Sequence, residues 1–428
     1  MVVQRGRRRA AAIAALGAAG ALALSACAEP VETKPMAGTG PSVRYGATQE
    51  EYKAAFRDIP PIKLTTQSPS PKGSVTGKNV EDYLKAVTDW SGGKITWEVS
   101  YSNGVAPPEE VDDALRDGRL DLGQVLPIYE PSDYPANAAL IQTTFLSEQT
   151  PVTGALQSNA WPNEVAFEIP EIMKEFRDAG MEPLMPQYDS GSNVLFCRDE
   201  PRGLKAFHGR QAASGGQAQT AEITSLGGSA VSVPYTELFE GLERGIVDCS
   251  VSSLTVGVLS GFISAAPHVT IDPQAGLATA PGAMAMSGRA WKRLPLAARQ
   301  LLFDRLDVFM TSNIRDKIWP NSVAAVKAAK AAGGSVAPFE PDARGSVNAA
   351  NARMLRKISR SDKIDDPDAL VAAARAASAR WLNIVRAGGT GADVTYPEFD
   401  TWYKPGRVDV DAFMKRAFEE IFLPHRPS

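Results

Sequence analysis

Apolar positions recur with two different periods along the first part of the chain. Residues 62–66 and 95–99 alternate between apolar and polar side chains, as a strand with one buried face does. Between them, residues 80–90 place apolar side chains at helical spacing, and a second helical stretch at 109–117 precedes an apolar strand at 120–125. This order of strand, helix, strand, helix, strand is typical of a parallel sheet covered by helices.

The same succession of patterns returns later in the chain. Short apolar runs at 194–197, 230–233 and 246–249 predict strands, and helical spacing at 220–226 and 235–244 predicts the helices between them. Two separate α/β units in one chain indicate two lobes.

The remainder of the chain has mostly helical patterns. Apolar spacing predicts helices at 295–317, 322–332, 347–358 and 367–387. No low-complexity tract or short repeat interrupts this part of the sequence.

The N-terminal pattern differs from all of these. Four arginines precede an apolar run of 15 residues, 10–24, which is shorter than the roughly 20 residues of a membrane-spanning helix and is typical of a secretory signal. The run ends in Leu24, Ser25, Ala26 and Cys27, a sequence that resembles the lipobox of bacterial lipoproteins. We therefore expect residues 1–27 to be a lipoprotein signal peptide and Cys27 to be lipidated. The alternative is an ordinary signal peptide that contains a cysteine.

Residues 28–61 are rich in proline and have no sustained apolar period, so we expect a tether between the lipid and the globular part. One short helix is predicted within it, at 49–57. The protein would then be exported and lipid-anchored to the outer face of the cytoplasmic membrane.

Charge excludes one class of partner. Removal of residues 1–27 leaves 41 Lys and Arg against 49 Asp and Glu, so the mature chain is acidic and has no electrostatic reason to bind nucleic acid. After Cys27 no apolar run is long enough to span a bilayer.

Cys197 and Cys249 are the two cysteines that follow the anchor. Export places them in a compartment that permits disulfides. The sequence leaves two alternatives open, a Cys197–Cys249 disulfide or two buried thiols.

Signals for catalysis are weak. The three histidines, His208, His268 and His425, are far apart in sequence, and the chain has no HExxH, paired CxxC, phosphate-binding loop or GxSxG motif. We therefore expect no enzymatic activity, no metal and no cofactor. A lipid-anchored hydrolase that uses His208 stays as an unfavoured alternative.

Several segments together resemble the DctP-like extracytoplasmic solute-binding proteins of TRAP transporters. They are an SGG-basic-Ile entry into a strand at 89–99, the LDLG segment at 114–123, the RGLK segment at 202–205 followed by Arg210, the region 226–248, and the WKRLP start of a helix at 291–295. The resemblance extends from about residue 62 to 339.

This resemblance implies a type II, periplasmic-binding-protein-like α/β fold with two lobes, mixed sheets, a hinge and long C-terminal helices. Lobe I would comprise 62–187 with about 272–330, and lobe II would comprise 188–271 with about 331–428. The implied function is capture of a small organic acid by a monomer that delivers it to TRAP permease subunits. A sensor that docks on a membrane kinase would have the same core, so it stays as an alternative.

The resemblance also implies the site residues. Arg210 best matches the arginine that forks onto the ligand carboxylate in the family, a pairing that suits a planar guanidinium. Ser252 stands where the family often has an asparagine, which suggests a changed ligand. Further candidates lie at the entry to lobe II, at a helix start and after strands of lobe I, namely Tyr188, Ser190, Asn193, Tyr235, Glu237, Gln67 and Tyr129.

Overall fold

The computed structural model describes residues 40–389 and 393–428. The predicted signal peptide, Cys27 and the first part of the predicted tether lie outside the described residues.

The described strands form two sheets, each the centre of one lobe. The strands are β1 (Ile62–Gln67), β2 (Ile95–Ser100), β3 (Leu122–Val125), β4 (Met181–Tyr188), β5 (Asn193–Cys197), β6 (Gln211–Ser214), β7 (Ser229–Ser232), β8 (Cys249–Ser253), β9 (His268–Thr270), β10 (Gly282–Ser287) and β11 (Val336–Ala337). The order in lobe I is β2-β1-β3-β10-β4, and the order in lobe II is β11-β9-β5-β8-β6-β7. Each sheet combines parallel and antiparallel pairs. The predicted two-lobed α/β fold with mixed sheets is confirmed.

Helices cover both sheets. They are Gln49–Ala55, Lys78–Trp90, Val111–Asp117, Pro135–Ile141, Thr153–Ser158, Trp161–Glu168, Pro170–Asp178, Leu204–Phe207, Gln217–Ser225, Leu238–Glu243, Leu254–Leu259, Gly288–Arg293, Leu296–Asp304, Leu306–Ser312, Trp319–Ala331, Pro341–Ile358, Pro367–Ala387, Tyr396–Trp402 and Asp411–Ala417. Residues Asn313–Ile318 form a π-helical segment between two α-helices.

A side-chain carboxylate links the parallel strands β1 and β3 of lobe I. The carboxylate of Asp121, just before β3, accepts hydrogen bonds from the backbone N–H and the hydroxyl of Thr65 in β1, at 2.8 and 3.0 Å. This pairing fixes the register of β3 against β1. The carboxyl ends of these strands therefore reach the same edge of the sheet.

The structure contains the Cys197–Cys249 disulfide, the first of the two alternatives. β5 runs antiparallel to β8 with Cys197 directly opposite Cys249, and their sulfur atoms are bonded. Opposed residues in antiparallel strands bring their Cβ atoms within reach of a disulfide. The bond joins two central strands of lobe II.

In the described part of the chain, four segments cross between the lobes. Residues 189–192 connect β4 to β5, and residues 271–281 connect β9 to β10. The helix Trp319–Ala331 starts in the lobe I core at Trp319 and ends in the lobe II core at Ala329. The fourth is the helix Pro341–Ile358, which starts in a lobe II core at Ala343 and ends in the lobe I core at Ile358. These crossings form the predicted hinge.

The C-terminal boundary differs from the prediction that assigned about 331–428 to lobe II. Trp381, Phe399, Phe413 and Phe422 are buried in the lobe I core. The helix Pro367–Ala387 packs on the lobe I helices Thr153–Ser158 and Trp161–Glu168, which present an apolar surface to it. Of the chain after residue 331, mainly 336–347 and Tyr396 belong to the cores of lobe II.

The predicted tether is also shorter than expected. The helix Gln49–Ala55 is present, but Val43, Tyr52, Phe56 and Ile59 are buried in the lobe I core. Tyr52 and Phe56 are four residues apart and so share one face of a helical turn. The segment from Val43 onward is therefore part of the globular body.

The predicted helix at 295–317 is broken. It forms Leu296–Asp304, Leu306–Ser312 and the π-helical segment, with Arg305 at the break in a conformation that leaves the first helix. The π-helical segment is the part of this region that reaches the site between the lobes.

Candidate functional site

A cavity of about 120 Å³ lies between the two sheets. Lobe I contributes the end of β1, part of β3 and the turn that follows β3, and lobe II contributes the end of β6, most of β8 and the helix Leu254–Leu259. Ligands of open α/β sheets bind at the carboxyl ends of strands, and these are the ends that meet here. The first crossing adds Ser190 to the wall, and the ends of β4 and β10 add Tyr188 and Gly282.

Most of the predicted site residues line this cavity. Those that do are Gln67, Tyr129, Tyr188, Ser190, Asn193, Tyr235 and Ser252. Arg210 and Glu237 do not belong to its lining.

The structure places Arg210, the predicted carboxylate-binding residue, outside the cavity lining. Its guanidinium pairs with Asp199 at 3.2 Å and donates through Nε to the Ala206 carbonyl at 2.8 Å. Arg210 directly precedes β6, whereas the cavity is lined by Ser214 at the opposite end of that strand, about 13 Å away at 3.3 Å per residue. Arg210 therefore lies at the outer end of β6, away from the cavity.

Glu237 is also outside the site. It lies in the turn Tyr235–Glu237, where its side chain is exposed. His208 lies beside Gly227 at the outer end of lobe II, so the site gives no support to a hydrolase built on this histidine.

Two hydrogen bonds join the lobes beside the cavity. The Asn103 amide of lobe I donates to the Tyr235 hydroxyl of lobe II at 2.9 Å, and the Tyr235 N–H donates to the Tyr129 hydroxyl at 3.4 Å. Ser102 and Asn103 have φ of 54° and 56°, a left-handed conformation that a non-glycine residue rarely adopts. Burial raises the pKa of Tyr235 to about 12, so its hydroxyl stays protonated at neutral pH.

Gln67 supports the loop that contains Ser102 and Asn103. Its side-chain oxygen already accepts two hydrogen bonds. Its Oε1 accepts from the N–H groups of Val105 and Ala106, at 3.1 and 3.0 Å, and its Nε2 donates to the Ala106 carbonyl at 2.9 Å. We therefore assign Gln67 a positioning role: it holds the segment that carries Asn103 to the other lobe.

Two other predicted residues are occupied at the hinge. The Asn193 amide donates to the Ala278 carbonyl at 2.7 Å, which ties β5 to the second crossing. The hydroxyls of Ser190 and Ser253 lie 3.0 Å apart, and Ser253 also caps the helix Leu254–Leu259. These contacts stabilise the crossings of the chain between the lobes.

Lys317 is the one charged residue among the described residues that line the cavity. It belongs to the π-helical segment, is 6% exposed, and holds its ammonium 5.8 Å from the ring centre of Tyr188. Burial lowers the pKa of Lys317 to about 8, and the nearby Asp189 partly opposes that shift. Sequence analysis missed this residue because a lysine at the end of an amphipathic helix looks like a solvated partner of the helix dipole.

Asp189 lies next to this lysine at the first crossing and is 2% exposed. Burial raises the pKa of Asp189 to about 7, and the nearby hydroxyl of Thr279 opposes the shift. The backbone carbonyl of Asp189 accepts from the Asn313 amide at 2.8 Å, which ties the crossing to the start of the π-helical segment.

Three lining residues carry buried polar atoms that have no hydrogen-bond partner in the described part of the chain. They are Oγ of Ser70, Nε2 of Gln124 and Oγ1 of Thr255. Ser70 is fully buried and Thr255 is 2% exposed. A buried polar atom without a partner costs about 1–3 kcal/mol, so such atoms at a cavity wall indicate where a ligand binds.

Within residues 40–389 and 393–428, His, Cys, Asp and Glu side chains do not gather in groups of three that could hold a metal ion. Among the helices described, none combines the length and apolar character needed to cross a bilayer.

The family model for DctP, the bacterial extracellular solute-binding protein family 7, matches residues 67–362. The chain belongs to the DctP family. This confirms the predicted family, whose members are extracytoplasmic solute-binding proteins.

Solved structures of TRAP solute-binding proteins share the DctP fold with this chain. A protein from Rhodoferax ferrireducens, in complex with copurified benzoate, is 17% identical, with a TM-score of 0.65 over 76% of this chain and 99% of the other. A sugar acid binding protein from Advenella mimigardefordensis, in complex with galactonate, is 19% identical, with a TM-score of 0.63 over 75% and 100%. A Bordetella pertussis receptor that binds pyroglutamic acid is 16% identical, with a TM-score of 0.62 over 73% and 99%.

Proposed function

We propose that this protein captures a small monocarboxylic acid in the cavity between its lobes and delivers it to a TRAP-type permease. The family membership supports the transport role. Benzoate, galactonate and pyroglutamate, which the three structural relatives bind, are all monocarboxylates.

The observation that carries this proposal is the composition of the cavity wall. One lysine is its only charged lining residue in the described chain, and the remaining polar groups are neutral hydroxyls and amides. A single cation in a desolvated site favours a single anionic group, while neutral donors and acceptors suit hydroxyl, carbonyl or ring nitrogen groups on the rest of the ligand. Members of this family are solute-binding proteins, so we propose binding without turnover.

Isothermal titration calorimetry of the purified protein tests the proposal. Benzoate, galactonate and pyroglutamate are titrated beside benzamide, which replaces a carboxylate with a neutral amide. We expect at least one acid to bind with one site per chain, and benzamide to bind far more weakly than benzoate wherever benzoate binds. Failure of all three acids to bind would contradict the proposal.

We also propose that the protein is lipid-anchored through Cys27, on the strength of the apolar run and the lipobox pattern. The Cys27→Ser variant should move from the detergent phase to the aqueous phase on Triton X-114 partition of expressing cells. Its affinity for the acid should stay unchanged, because residue 27 precedes the family-matched range. Retention of the variant in the detergent phase would contradict the anchor.

A further inference from the structure

We propose that the ammonium of Lys317, together with the hydroxyls of Ser70 and Thr255, forms the subsite that binds the ligand carboxylate. This proposal rests on the proposed function and names the residues that recognise the acid. It assigns to a lysine of the lobe-crossing helical region the role that the sequence had given to Arg210.

The three residues come from elements that pack against one another. Ser70 lies beside the turn Val75–Gly77, where a Cβ added to Gly77 would approach the Ser70 Cβ to 3.0 Å. This turn contacts both the π-helical segment that carries Lys317 and the helix that carries Thr255, and these last two elements also contact each other. Lobe I, lobe II and the crossing therefore each supply one residue to the cavity wall where these elements meet.

Each of these groups has unused hydrogen-bonding capacity. The hydroxyls of Ser70 and Thr255 are buried without a partner, and Lys317 forms no ion pair with a carboxylate of the described residues. A carboxylate placed among them would accept from the ammonium and from both hydroxyls, which removes the cost of leaving these donors unpaired.

The π-helical segment explains why a lysine can serve here. A π-helical turn carries more residues per turn than an α-helix, so it shifts the direction of its side chains relative to the flanking helices, and such turns recur at functional sites. The segment lies between the helix Leu306–Ser312, which packs in lobe I, and the helix Trp319–Ala331, which crosses to lobe II. A ligand held by Lys317 therefore contacts the element that links the lobes.

The nearby Asp189 and the lack of a second cation in the described lining limit the number of ligand carboxylates that the subsite can bind. The Asp189 carboxylate lies close enough to Lys317 to favour the ammonium form. Once one ligand carboxylate is bound, the described lining offers no second cation, so a second carboxylate would be desolvated without a partner. The subsite should select singly charged acids over diacids.

The Lys317→Met variant tests the proposal, with Lys327→Met as a matched control at an exposed position of the same crossing region. Benzoate, galactonate and pyroglutamate are titrated calorimetrically into the unaltered protein and both variants. Loss of one charge-assisted hydrogen bond predicts affinity about 10- to 100-fold weaker in Lys317→Met and unchanged in Lys327→Met. Equal affinity in Lys317→Met and the unaltered protein would overturn the subsite while the proposed function stands.

Two further measurements keep the test decisive if Lys317→Met loses its cooperative thermal transition. The paired change Ser70→Ala and Thr255→Val keeps the charge and should weaken binding of the same acid about fivefold or more. Terephthalate and galactarate, the diacid counterparts of benzoate and galactonate, should bind at least tenfold more weakly than the monoacids. Undiminished binding by the paired variant, or tighter binding of the diacids, would overturn the subsite. If the unaltered protein binds none of the three monoacids, the proposed function fails and the subsite with it.

Discussion

Ligand affinity should fall as pH rises above neutrality, because a carboxylate binds the ammonium form of Lys317. Burial lowers the pKa of Lys317 in the unliganded protein to about 8. The charged fraction is then about 0.9 at pH 7 and about 0.1 at pH 9, so Kd should rise about tenfold over this range. The ligand itself stays ionised throughout, since carboxylic acids titrate near pH 4.

Deprotonation of Asp189 should also weaken ligand binding as pH rises. Burial raises the pKa of Asp189 to about 7, so this carboxyl gains its negative charge between about pH 6 and 8 and then disfavours an anion nearby. Tyr188, whose ring faces Lys317, stays neutral because burial raises its pKa well above the ordinary value. The affinity should therefore be greatest on the acid side of neutrality.

Calorimetric titrations of benzoate, galactonate and pyroglutamate at pH 6, 7, 8 and 9, at constant ionic strength, measure this profile. The Lys317→Arg variant is the matched control, because a guanidinium keeps its charge over the whole range. Because residue 317 stays charged in this variant, its Kd should stay constant between pH 8 and 9. An unaltered protein whose Kd is constant from pH 7 to 9, or falls, would refute the reasoning.

Three other outcomes are expected. The double change Cys197→Ala and Cys249→Ala should lower the free energy of unfolding by about 4 kcal/mol in urea denaturation, since the bond closes a loop of 52 residues; no loss would argue against a stabilising bond. Arg210→Ala should leave the affinity within about twofold in calorimetry, whereas a large loss would restore this residue as the anion anchor. Burial raises the pKa of Glu222 well above its ordinary value, so its contribution to stability is present at low pH and lost as pH rises. Glu222→Gln keeps an acceptor for the Ala278 N–H and should raise Tm at pH 8 relative to the unaltered protein, with little difference at pH 5; an equal shift at both pH values would contradict this.

Local periodicity predicted the two sheets because burial of one strand face imposes its own spacing on the sequence. Gln67, which ends β1, and Tyr129, which follows β3, could be assigned to the site for a related reason. Carboxyl ends of strands in open α/β sheets converge, so a correct strand assignment brings such residues together before any distance is known. Ser252 was assigned from the family resemblance.

The positions of Lys317 and Arg210 relative to the cavity could not be predicted from local periodicity. The anion-facing position of Lys317 depends on a π-helical turn, which has no signature in the apolar pattern that predicted a continuous helix. Arg210 lies at the outer end of β6, a strand that the apolar pattern did not predict.

The chain ends could not be assigned from periodicity because their burial depends on distant partners. The Val43 N–H donates to the side chain of Gln300 at 2.7 Å, and Arg426 pairs with Asp304 at 2.7 Å and donates to the Val43 carbonyl at 2.7 Å. The ring of Tyr45 stacks on Phe418 with centroids 5.7 Å apart. The contact of Val43 with Arg426 joins residues 383 apart, and no short window of sequence contains both members of any of these pairs.

The crystal structure of the protein bound to the monocarboxylate with the highest affinity tests the central claim most directly. The account predicts the acid between the two sheets, with a carboxylate oxygen within about 3.2 Å of Lys317 Nζ and hydrogen bonds from the hydroxyls of Ser70 and Thr255. A carboxylate bound at Arg210, or an acid outside the cavity between the lobes, would contradict it.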